Sequence, residues 1–452
     1  MSLFKLHGVH LKHHKNTAKQ APEQMPVPKQ ITLPMSMHIG APAVPCVAVG
    51  DEVCVGQKIA DAGAGLSSPI YSGVSGKVKK IDEMTVSSGA KVRTVTIECD
   101  GAQTVAEGIA PPSVTDKESF LAAIRESGLV GLGGAGFPTV IKLNVPAGRV
   151  DTVVVNGAEC EPYITSDTRT MLDESDLVAE GLAQVMRYLE IPNAVFGIEK
   201  NKPECIAAMK KATESMDGVR VQALPSVYPQ GGEKVLVYHT TGRVIGEGKL
   251  PLDAGVIVVN CTTLSVIAKY LRTGMPLVSK CVTVDGSAVR EPKNLIVPIG
   301  ASVRDVIDAC GGFAETPKKI LSGGPMMGVA LVELDAPILK QTNAVLAFGE
   351  KEATLPRETA CIRCGKCLDT CPLGLSPVEL ARAFEQGDDA SLEELKVNLC
   401  MECGCCAYVC PAKRNLVQMN RLAKGRLRIY QQKQKELKEK QEQKAKEGAS
   451  RE

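Results

Sequence analysis

Residues 361–372 read CIRCGKCLDTCP and residues 400–411 read CMECGCCAYVCP, so the chain carries one cysteine pattern twice, C-x2-C-x2-C-x3-C-P. Two-residue spacings let three cysteines reach one metal centre from a tight loop, while the fourth comes from elsewhere in the chain. Zinc is the alternative, because C-x2-C pairs also bind Zn²⁺. Two complete runs that each end in Cys-Pro favour two [4Fe-4S] clusters instead.

In ferredoxins with two clusters, the fourth cysteine of each run ligates the other cluster. We therefore predict one cluster on Cys361, Cys364, Cys367 and Cys410, and a second on Cys400, Cys403, Cys406 and Cys371. Cys405 has no place in the pattern and is predicted to be a spectator thiol. Between the runs, residues 376–379 form a capping box with proline at the first helical position, which predicts a helix. The two-cluster segment resembles the α-helical ferredoxins rather than the small β-rich ones.

Length and composition predict an ordinary globular chain of several domains. The chain has 452 residues, 44% of them hydrophobic and 23% charged, whereas one domain usually takes about 100–200 residues. A net charge of +2 and an aromatic share of 3% without Trp argue against a nucleic-acid partner. We find neither a signal-like start nor an apolar run of about 20 residues, so an intracellular protein is expected. In a reducing compartment, dense cysteines are more often metal ligands than disulfides.

The first hundred residues predict a polar arm followed by a β domain. Residues 1–26 form the arm, whose four histidines could bind a metal but are expected to be solvated or hydrogen-bonded. Residues 27–100 consist of short apolar runs broken by turns, which predicts a compact β domain. Its segments 49–60 and 72–78 resemble the barrel-sandwich fold of lipoyl and biotinyl carriers. Because the Met-Lys-Met tip of those carriers is missing, we expect a structural or docking module without a swinging cofactor.

The middle of the chain predicts a multidomain α/β plus α+β protein. Residues 112–275 alternate strands and helices, an α/β pattern. Residues 278–350 predict a small β-grasp domain with a helix starting after Ser302. Residues 355–422 hold the cysteine runs, and residues 423–452 are a charged tail that is predicted to be a frayed, solvated helix or disordered. Within the α/β domain, apolar β-branched runs predict buried strands at 151–156, 194–198 and 256–259, and periodicity predicts a helix at 175–189.

Residues 131–136, Gly-Leu-Gly-Gly-Ala-Gly, satisfy the pattern G-x-G-x-x-G. Glycines at these positions let backbone N–H groups approach a phosphate closely. A helix-like segment precedes the loop, whereas the Rossmann fingerprint requires a strand there. For the loop taken alone, a purely structural glycine turn is therefore an equal alternative.

The glycine loop and several later segments together resemble the FMN- and NADH-binding subunit of respiratory complex I. The resemblance covers residues 128–142, 156–162, 231–233 and 260–263; Ala158 and Gly232 depart from it, because the family has acidic residues there. It implies a Rossmann-like domain in which the glycine loop and Lys142 hold FMN and the acidic segment lies beside flavin and nicotinamide. The cofactor-binding residues that follow are Gly131, Gly133, Gly134, Gly136, Phe137, Lys142, Asn156, Glu159, Glu161, Glu233, Asn260 and Thr263. Any one of these acids taken singly is more simply a surface carboxylate.

The order of the modules resembles the C subunit of the Rnf-type ion-translocating electron transport complexes. Further matches are residues 8–10, 228–233 and 322–328, and two cysteine runs discriminate against the complex I relatives, which carry one cluster after the β-grasp domain. The resemblance implies a peripheral subunit on the cytoplasmic side of a bacterial membrane, which it contacts through partner subunits, including an iron-sulfur subunit. It also implies electron transfer between NAD(H), FMN and two [4Fe-4S] clusters, without a catalytic acid–base residue. An alternative remains open, an iron-sulfur wiring or scaffold subunit that binds no nucleotide.

Overall fold

The computed structural model describes residues 7–86 and 89–449, without the side chains of residues 444–449. The described chain divides into two compact units. The first, called the cluster unit here, contains residues 7–11, 227–229 and 355–449. The second, called the flavin unit, contains residues 12–86, 89–226 and 230–354.

The flavin unit begins with a β domain of two sheets. A short strand of the arm, β1 (Glu23–Gln24), precedes it. The strands of the β domain are β2 (Gln30–Pro34), β3 (Val44–Pro45), β4 (Glu52–Val53), β5 (Lys58–Asp61), β6 (Ile70–Tyr71), β7 (Gly76–Thr85) and β8 (Lys91–Cys99). One sheet has the order β2-β8-β7-β4 and the other β3-β5-β6. Alternate residues of β2, Ile31 and Leu33, are fully buried, as expected for a strand with one face on a core. The predicted compact β domain is therefore present.

A parallel α/β layer follows in the same unit. Its elements are α1 (Lys117–Glu126), α2 (Thr139–Leu143), β9 (Thr152–Asn156), α3 (Ser166–Asp173), α4 (Ser175–Leu189), β10 (Asn193–Glu199), α5 (Pro203–Ala212), β11 (Val219–Leu224), α6 (Glu233–Thr241), β12 (Val256–Asn260) and α7 (Cys261–Thr273). The three predicted strands and the predicted helix α4 are present. Helix α1 is capped by Asp116, whose carboxylate accepts from the Ser119 amide at 2.8 Å.

The strand order β11-β10-β9-β12 determines where a ligand site can lie. All neighbouring strands in this sheet are parallel. The chain moves outward from β9 through β10 to β11 and then returns to the other side of β9 as β12. In open parallel sheets, ligands bind at such a switch point, outside the carboxyl ends of the strands. Here those ends are Asn156 and Asn260, which are paired residues in the sheet register.

A fourth sheet, of six strands, completes the flavin unit. Its further elements are β13 (Ser279–Asp285), β14 (Lys293–Pro298), α8 (Val303–Asp308), β15 (Lys319–Ser322), β16 (Val329–Ala330), β17 (Ala344–Phe348) and α9 (Glu350–Ala353). Helix α8 starts after Ser302, as predicted, and the Ser302 hydroxyl caps it. The strand order is β1-β14-β13-β17-β15-β16, so the arm strand β1 forms one edge of this sheet.

In the cluster unit, every regular element described between residues 355 and 449 is helical. The elements are α10 (Lys366–Asp369), α11 (Pro377–Gln386), α12 (Asp389–Glu394), a 3-10 turn (Val397–Leu399), α13 (Cys405–Tyr408) and α14 (Leu416–Ala449). Helix α11 begins at Pro377, as predicted, although the Ser376 side chain makes no capping bond. Buried Leu380 and Leu427 belong to the core that joins α11 to α14. No helix in the described residues is both long and apolar enough to span a membrane.

Candidate functional site

The glycine loop is fastened to the start of helix α7. The Leu132 amide donates to the Thr263 hydroxyl at 3.2 Å, and the Gly131 amide donates to the Phe137 carbonyl at 2.8 Å. A Cβ on Gly133 would lie 2.4 Å from the Asn260 amide nitrogen, whereas a Cβ on Gly134 would meet nothing within 4 Å. The loop therefore has a fixed backbone, and its exposed middle faces open space at the switch point.

The amino end of helix α7 is built by Asn260. The Asn260 Oδ1 atom accepts from the amides of Thr262 and Thr263, and its Nδ2 atom donates to the Asp167 carboxylate at 2.8 Å. Because helix amides point their positive ends at this terminus, the site favours an anion such as a phosphate. Thr263 accepts from the loop and still has its own hydroxyl proton to donate.

Lys142 brings two predicted site residues together. Its Nζ atom lies 3.2 Å from a carboxylate oxygen of Glu233, the first residue of α6, and 3.1 Å from the Val258 carbonyl. The side chain of Glu233 remains 43% exposed. A half-exposed ion pair of this kind contributes at most about 1 kcal/mol to stability. Both side chains are therefore free to change partners when an anion binds.

Asn156 organises the strand end next to β12. Its Nδ2 atom donates to the Gly231 carbonyl at 3.0 Å, and its Oδ1 atom accepts from the Ala158 amide at 3.1 Å. A Cβ on Gly231 would lie 2.5 Å from the Ala158 carbonyl oxygen. Asn156 thus holds the turn after β9 against the segment that leads into α6.

The carboxylate of Glu159 is directed into the protein. It accepts from the Asp167 amide at 2.8 Å and from the amide and hydroxyl of Thr168 at 3.3 and 2.6 Å, which caps helix α3. Its side chain is 4% exposed and lies 3.8 Å from the ammonium group of Lys15. Burial raises the pKa of Glu159 above its ordinary value. The Glu159 carboxylate therefore bonds to groups inside the protein.

Glu161 is also engaged within the flavin unit. Its two carboxylate oxygens accept from the backbone amides of Met326 and Met327, at 3.0 and 2.8 Å. A Cβ on Gly324 would lie 2.3 Å from one of those oxygens. Burial raises the pKa of Glu161 to about 7. The partner of Glu161 is thus the loop at residues 322–328. In the sequence alone, this loop was only a match to the family.

Sequence reasoning did not find Lys15, which holds the acidic segment in place. Its Nζ atom donates to the carbonyls of Glu159 and Glu161 at 2.9 and 2.8 Å, and also to that of Ile164. Burial lowers the pKa of Lys15. The only signal in the sequence was a basic arm. Residues 12–26 of the arm in fact belong to the flavin unit, with Thr17 fully buried.

The two cysteine runs adopt the same backbone conformation. The residue before the second cysteine is non-glycine with a positive φ in each run, 56° at Arg363 and 58° at Glu402. The residue after that cysteine is a glycine with a positive φ, 75° at Gly365 and 80° at Gly404. A one-turn helix follows each, α10 and α13. The repeat that the sequence shows is therefore also a repeat in three dimensions.

The structure places cysteines of the two runs close to one another. Cys371, from the first run, lines one cavity together with Cys400, Cys403 and Cys406 of the second. Burial raises the pKa of Cys367, and the charges of Cys361 and Cys410 raise it further, which makes these two thiols its neighbours. Cys405 lines the same cavity as the second group. Among the residues described, no three His, Cys, Asp or Glu side chains are arranged to hold a single metal ion.

Several N–H groups point at the cysteine sulfurs. The Leu375 amide donates to Cys371 at 3.3 Å, the Arg363 amide to Cys361 at 3.4 Å, and the Asn420 side chain to Cys400 at 3.8 Å. Such donors stabilise thiolates and the negative charge of an iron-sulfur cluster. The donor set therefore fits two clusters.

Comparison with protein-family models finds matches to four parts of the chain. An RnfC barrel sandwich hybrid domain matches residues 4–102, and a Nuo51 FMN-binding domain matches residues 124–269. An SLBB domain matches residues 281–330, and a 4Fe-4S dicluster domain matches residues 360–414. Fold, site and matches together define an electron-transfer protein that uses FMN and [4Fe-4S] clusters.

The relatives identify the family. The chain is 45% identical over 380 residues to the C subunit of the proton-translocating ferredoxin:NAD(+) oxidoreductase complex of Clostridium ljungdahlii, covering 83% of each protein. It is 40% identical over 422 residues to the Na(+)-translocating counterpart of Acetobacterium woodii, covering 92% of this chain and 95% of that one. A crystal structure of an NAD+-reducing [NiFe]-hydrogenase is similar at a TM-score of 0.49 and 18% identity, over 68% of this chain and 60% of that one. The chain belongs to the family of the C subunits of ion-translocating oxidoreductase complexes, the Rnf type, which confirms the resemblance seen in the sequence.

Proposed function

We propose that this protein passes electrons between NAD(H), FMN and two [4Fe-4S] clusters, as a subunit of an ion-translocating ferredoxin:NAD oxidoreductase complex. The observation that carries the proposal is that one chain joins a glycine loop at the switch point of a parallel sheet to two folded cysteine runs. FMN, when bound, exchanges the paired electrons of a hydride for the single electrons that each cluster takes up. The protein's own residues bind and orient the groups, and no acid–base pair is needed.

The phosphate of FMN would bind where the loop meets helix α7. The exposed amides around Gly134, the hydroxyl of Thr263 and the positive end of α7 supply hydrogen bonds and a favourable field. Lys142 supplies a cation, which forms a strong charge-assisted hydrogen bond with phosphate. Gly131, Gly133 and Gly136 shape the loop, Asn156 and Asn260 hold the two strand ends, and Phe137 stands beside the loop as a surface for a ring.

Among the three predicted acids, Glu233 is the one best placed to contact nicotinamide nucleotide. Glu159 caps helix α3 and Glu161 accepts two amides, whereas Glu233 is half-exposed and pairs with the partly exposed Lys142. A carboxylate that keeps its solvent contact can exchange water for a ribose or carboxamide group without losing an internal partner. We therefore assign Glu159 and Glu161 to positioning and Glu233 to nucleotide contact.

For the clusters, we propose the crossed ligand sets. The first cluster is held by Cys361, Cys364, Cys367 and Cys410, and the second by Cys400, Cys403, Cys406 and Cys371. The shared cavity of the second set supports this, since it combines Cys371 with cysteines of the other run.

We also propose the finer structural and cellular features that the family resemblance implies. The four modules are a lipoyl-like barrel sandwich, a Rossmann-like domain, a β-grasp domain and an α-helical ferredoxin-like domain, with the boundaries given above. The protein would be a peripheral subunit on the cytoplasmic side of a bacterial membrane. It would contact the membrane through other subunits, one of which carries iron-sulfur clusters.

A flavin-loading experiment tests the proposed function. Anaerobically purified, cluster-reconstituted protein should bind about one FMN per chain, and NADH should bleach the flavin absorbance. In Gly134→Trp, the indole should fill the open space and abolish FMN binding, while the cluster absorbance remains. Gly425→Trp is the matched control, because Gly425 on α14 also faces open space, and it should leave FMN binding intact.

The same experiment separates the proposal from its alternative. Protein that holds both clusters but takes up neither FMN nor NADH would be an iron-sulfur wiring or scaffold subunit. Retention of FMN by Gly134→Trp would show that flavin binds elsewhere in the chain.

A further inference from the structure

Three segments that are far apart in sequence meet at the second cysteine run inside the cluster unit. Val9 and Tyr228 exchange two backbone hydrogen bonds, of 2.8 and 2.9 Å. The phenol of Tyr228 donates to the Cys403 carbonyl at 2.7 Å, and the Cys405 thiol donates to the Tyr228 carbonyl at 3.9 Å. We call Gly8, Val9 and Tyr228 the clasp.

The clasp is closely packed. The exposed fraction is 5% for Val9, 3% for Tyr228, 7% for Cys403 and 1% for Cys405. A Cβ on Gly8 would lie 2.3 Å from the Tyr228 carbonyl oxygen, so the backbones approach more closely than any other residue would allow. A buried hydrogen bond between a phenol and a carbonyl is costly to break, because water cannot readily replace the lost partner.

The burial of the two cysteine runs differs. Cys403 and Cys406 of the second run are buried, whereas Cys361 and Cys364 of the first run are exposed. Lys366 stands in the first run where the second has Cys405, the thiol that contacts Tyr228. Two loops of the same backbone conformation therefore have different surroundings.

We propose that Tyr228 is a positioning residue for the cluster of the second run, and that the clasp makes the two clusters unequal. The proposal rests on the ligand sets assigned under the proposed function. The Cys403 carbonyl and the Gly404 N–H belong to one planar peptide, so anchoring the carbonyl also fixes the direction of the N–H that follows this ligand cysteine. Burial by the clasp would keep water from the cysteines that would hold the second cluster. Hydrogen bonds and solvent access are two of the factors that set cluster potentials.

The function of two sequence patterns follows from this contact. Residues 8–10 and 228–233 are patterns that flavin binding alone does not explain. Gly8 and Tyr228 act in the cluster unit, and the chain continues from Tyr228 into the flavin unit at Gln230. The segment at residues 228–233 thus contributes Tyr228 to a cluster loop and Glu233 to the proposed nucleotide contact.

The test is an EPR-monitored redox titration of full-length, anaerobically reconstituted protein carrying Tyr228→Phe. The iron content should stay at the wild-type level, while the midpoint potential and line shape of one cluster signal shift and the other signal stays unchanged. Tyr188→Phe is the matched control: its phenol donates to the Val114 carbonyl at 3.0 Å in the flavin unit. That variant should leave both potentials unchanged.

Cys364→Ala identifies the signals, because it removes a ligand of the first cluster only. The signal that survives in Cys364→Ala should be the one that Tyr228→Phe shifts. If Tyr228→Phe loses the second cluster outright, Gly8→Ala should shift the same signal, since it displaces the clasp without altering tyrosine or cysteine.

The outcomes that overturn the proposal are distinct from failure of the proposed function. Unchanged potentials in both Tyr228→Phe and Gly8→Ala, a shift of the signal that Cys364→Ala removes, or an equal shift in Tyr188→Phe would each overturn it. Wild-type protein that binds no iron-sulfur cluster would instead contradict the proposed function, and the clasp proposal with it.

Discussion

A buried lysine in the flavin unit should make the stability of that unit depend on pH. Lys340 is fully buried. Its Nζ atom donates to the Ser68 hydroxyl at 3.2 Å, the Pro69 carbonyl at 2.6 Å and the Gly128 carbonyl at 2.7 Å. These partners belong to the β domain and to the segment before the glycine loop. Burial lowers the pKa of Lys340 from 10.5 to about 7.

The sign and size of the effect follow from proton linkage. Between about pH 7 and pH 10.5, the unfolded chain binds a proton at Lys340 that the folded chain has partly lost, so the free energy of unfolding rises with pH. Each pKa unit corresponds to about 1.4 kcal/mol, which gives an upper bound of roughly 5 kcal/mol over the whole range and about 2 to 3 kcal/mol between pH 7 and pH 9. The three oxygen acceptors favour the ammonium form and oppose part of this effect.

The variant Lys340→Met isolates the contribution. Methionine does not titrate. Between pH 7 and pH 9, the free energy of unfolding of wild type should therefore rise by about 2 to 3 kcal/mol relative to that of the variant, which is roughly 4 °C in Tm for a unit of this size. The assay is thermal unfolding of both proteins at the two pH values. Lys79→Met, which removes an exposed lysine paired with Glu98 on a β-strand, should show no such change. A Tm difference between wild type and Lys340→Met that is the same at pH 7 and pH 9 would refute the reasoning.

Four further predictions concern the acidic segment and the flavin site. Lys15→Met should lower the free energy of unfolding, measured with denaturant, by about 3 kcal/mol, because it removes the cationic donor that three carbonyls share. Substitution of an exposed lysine, as a control, should lower it by less than about 0.5 kcal/mol. Gly324→Ala should push the neighbouring loop away from Glu161 and speed amide exchange at residues 326 and 327; unchanged exchange would contradict the contact. The pKa of Glu161 is raised to about 7 in the folded protein. Protonation of Glu161 therefore adds to the free energy of unfolding, fully below pH 4.5, and this contribution is lost as the pH rises through about 7. Glu161→Gln should abolish this pH dependence. Lys142→Met should weaken FMN binding about 10-fold or more in a fluorescence titration while changing stability by less than about 1 kcal/mol.

Local patterns predicted most of the regular structure. Strand β9 is a run of β-branched residues with Val153, Val154 and Val155 fully buried, so its sequence alone identifies a strand of a parallel sheet. The cysteine runs were equally informative, because their spacing reflects one local loop geometry. In both cases the determining contacts lie within a few residues or repeat with the strand period.

Contacts between distant segments could not be predicted in this way. From the sequence, a carboxylate such as Glu161 is equally compatible with a ligand-binding role and with a surface charge. Only the fold brings the Met326 and Met327 amides to it. Lys15 likewise reads as one base of a polar arm. The family model for the first domain begins at residue 4, within the segment that composition set apart as an arm, and strand β1 of that segment pairs in a sheet with residues 295 and 296.

The glycine loop shows how a motif divides into separate physical requirements. Gly133 must be glycine because a Cβ would collide with Asn260, and Gly136 because its φ is 72°. Neither reason applies to Gly134, where a Cβ would meet open space and φ is not positive. A glycine that internal packing does not require, between two that it does, fits the FMN site proposed above. For this reason Gly134 is the position where a substitution reports on the ligand, whereas a substitution at Gly133 would report on the cap of helix α7.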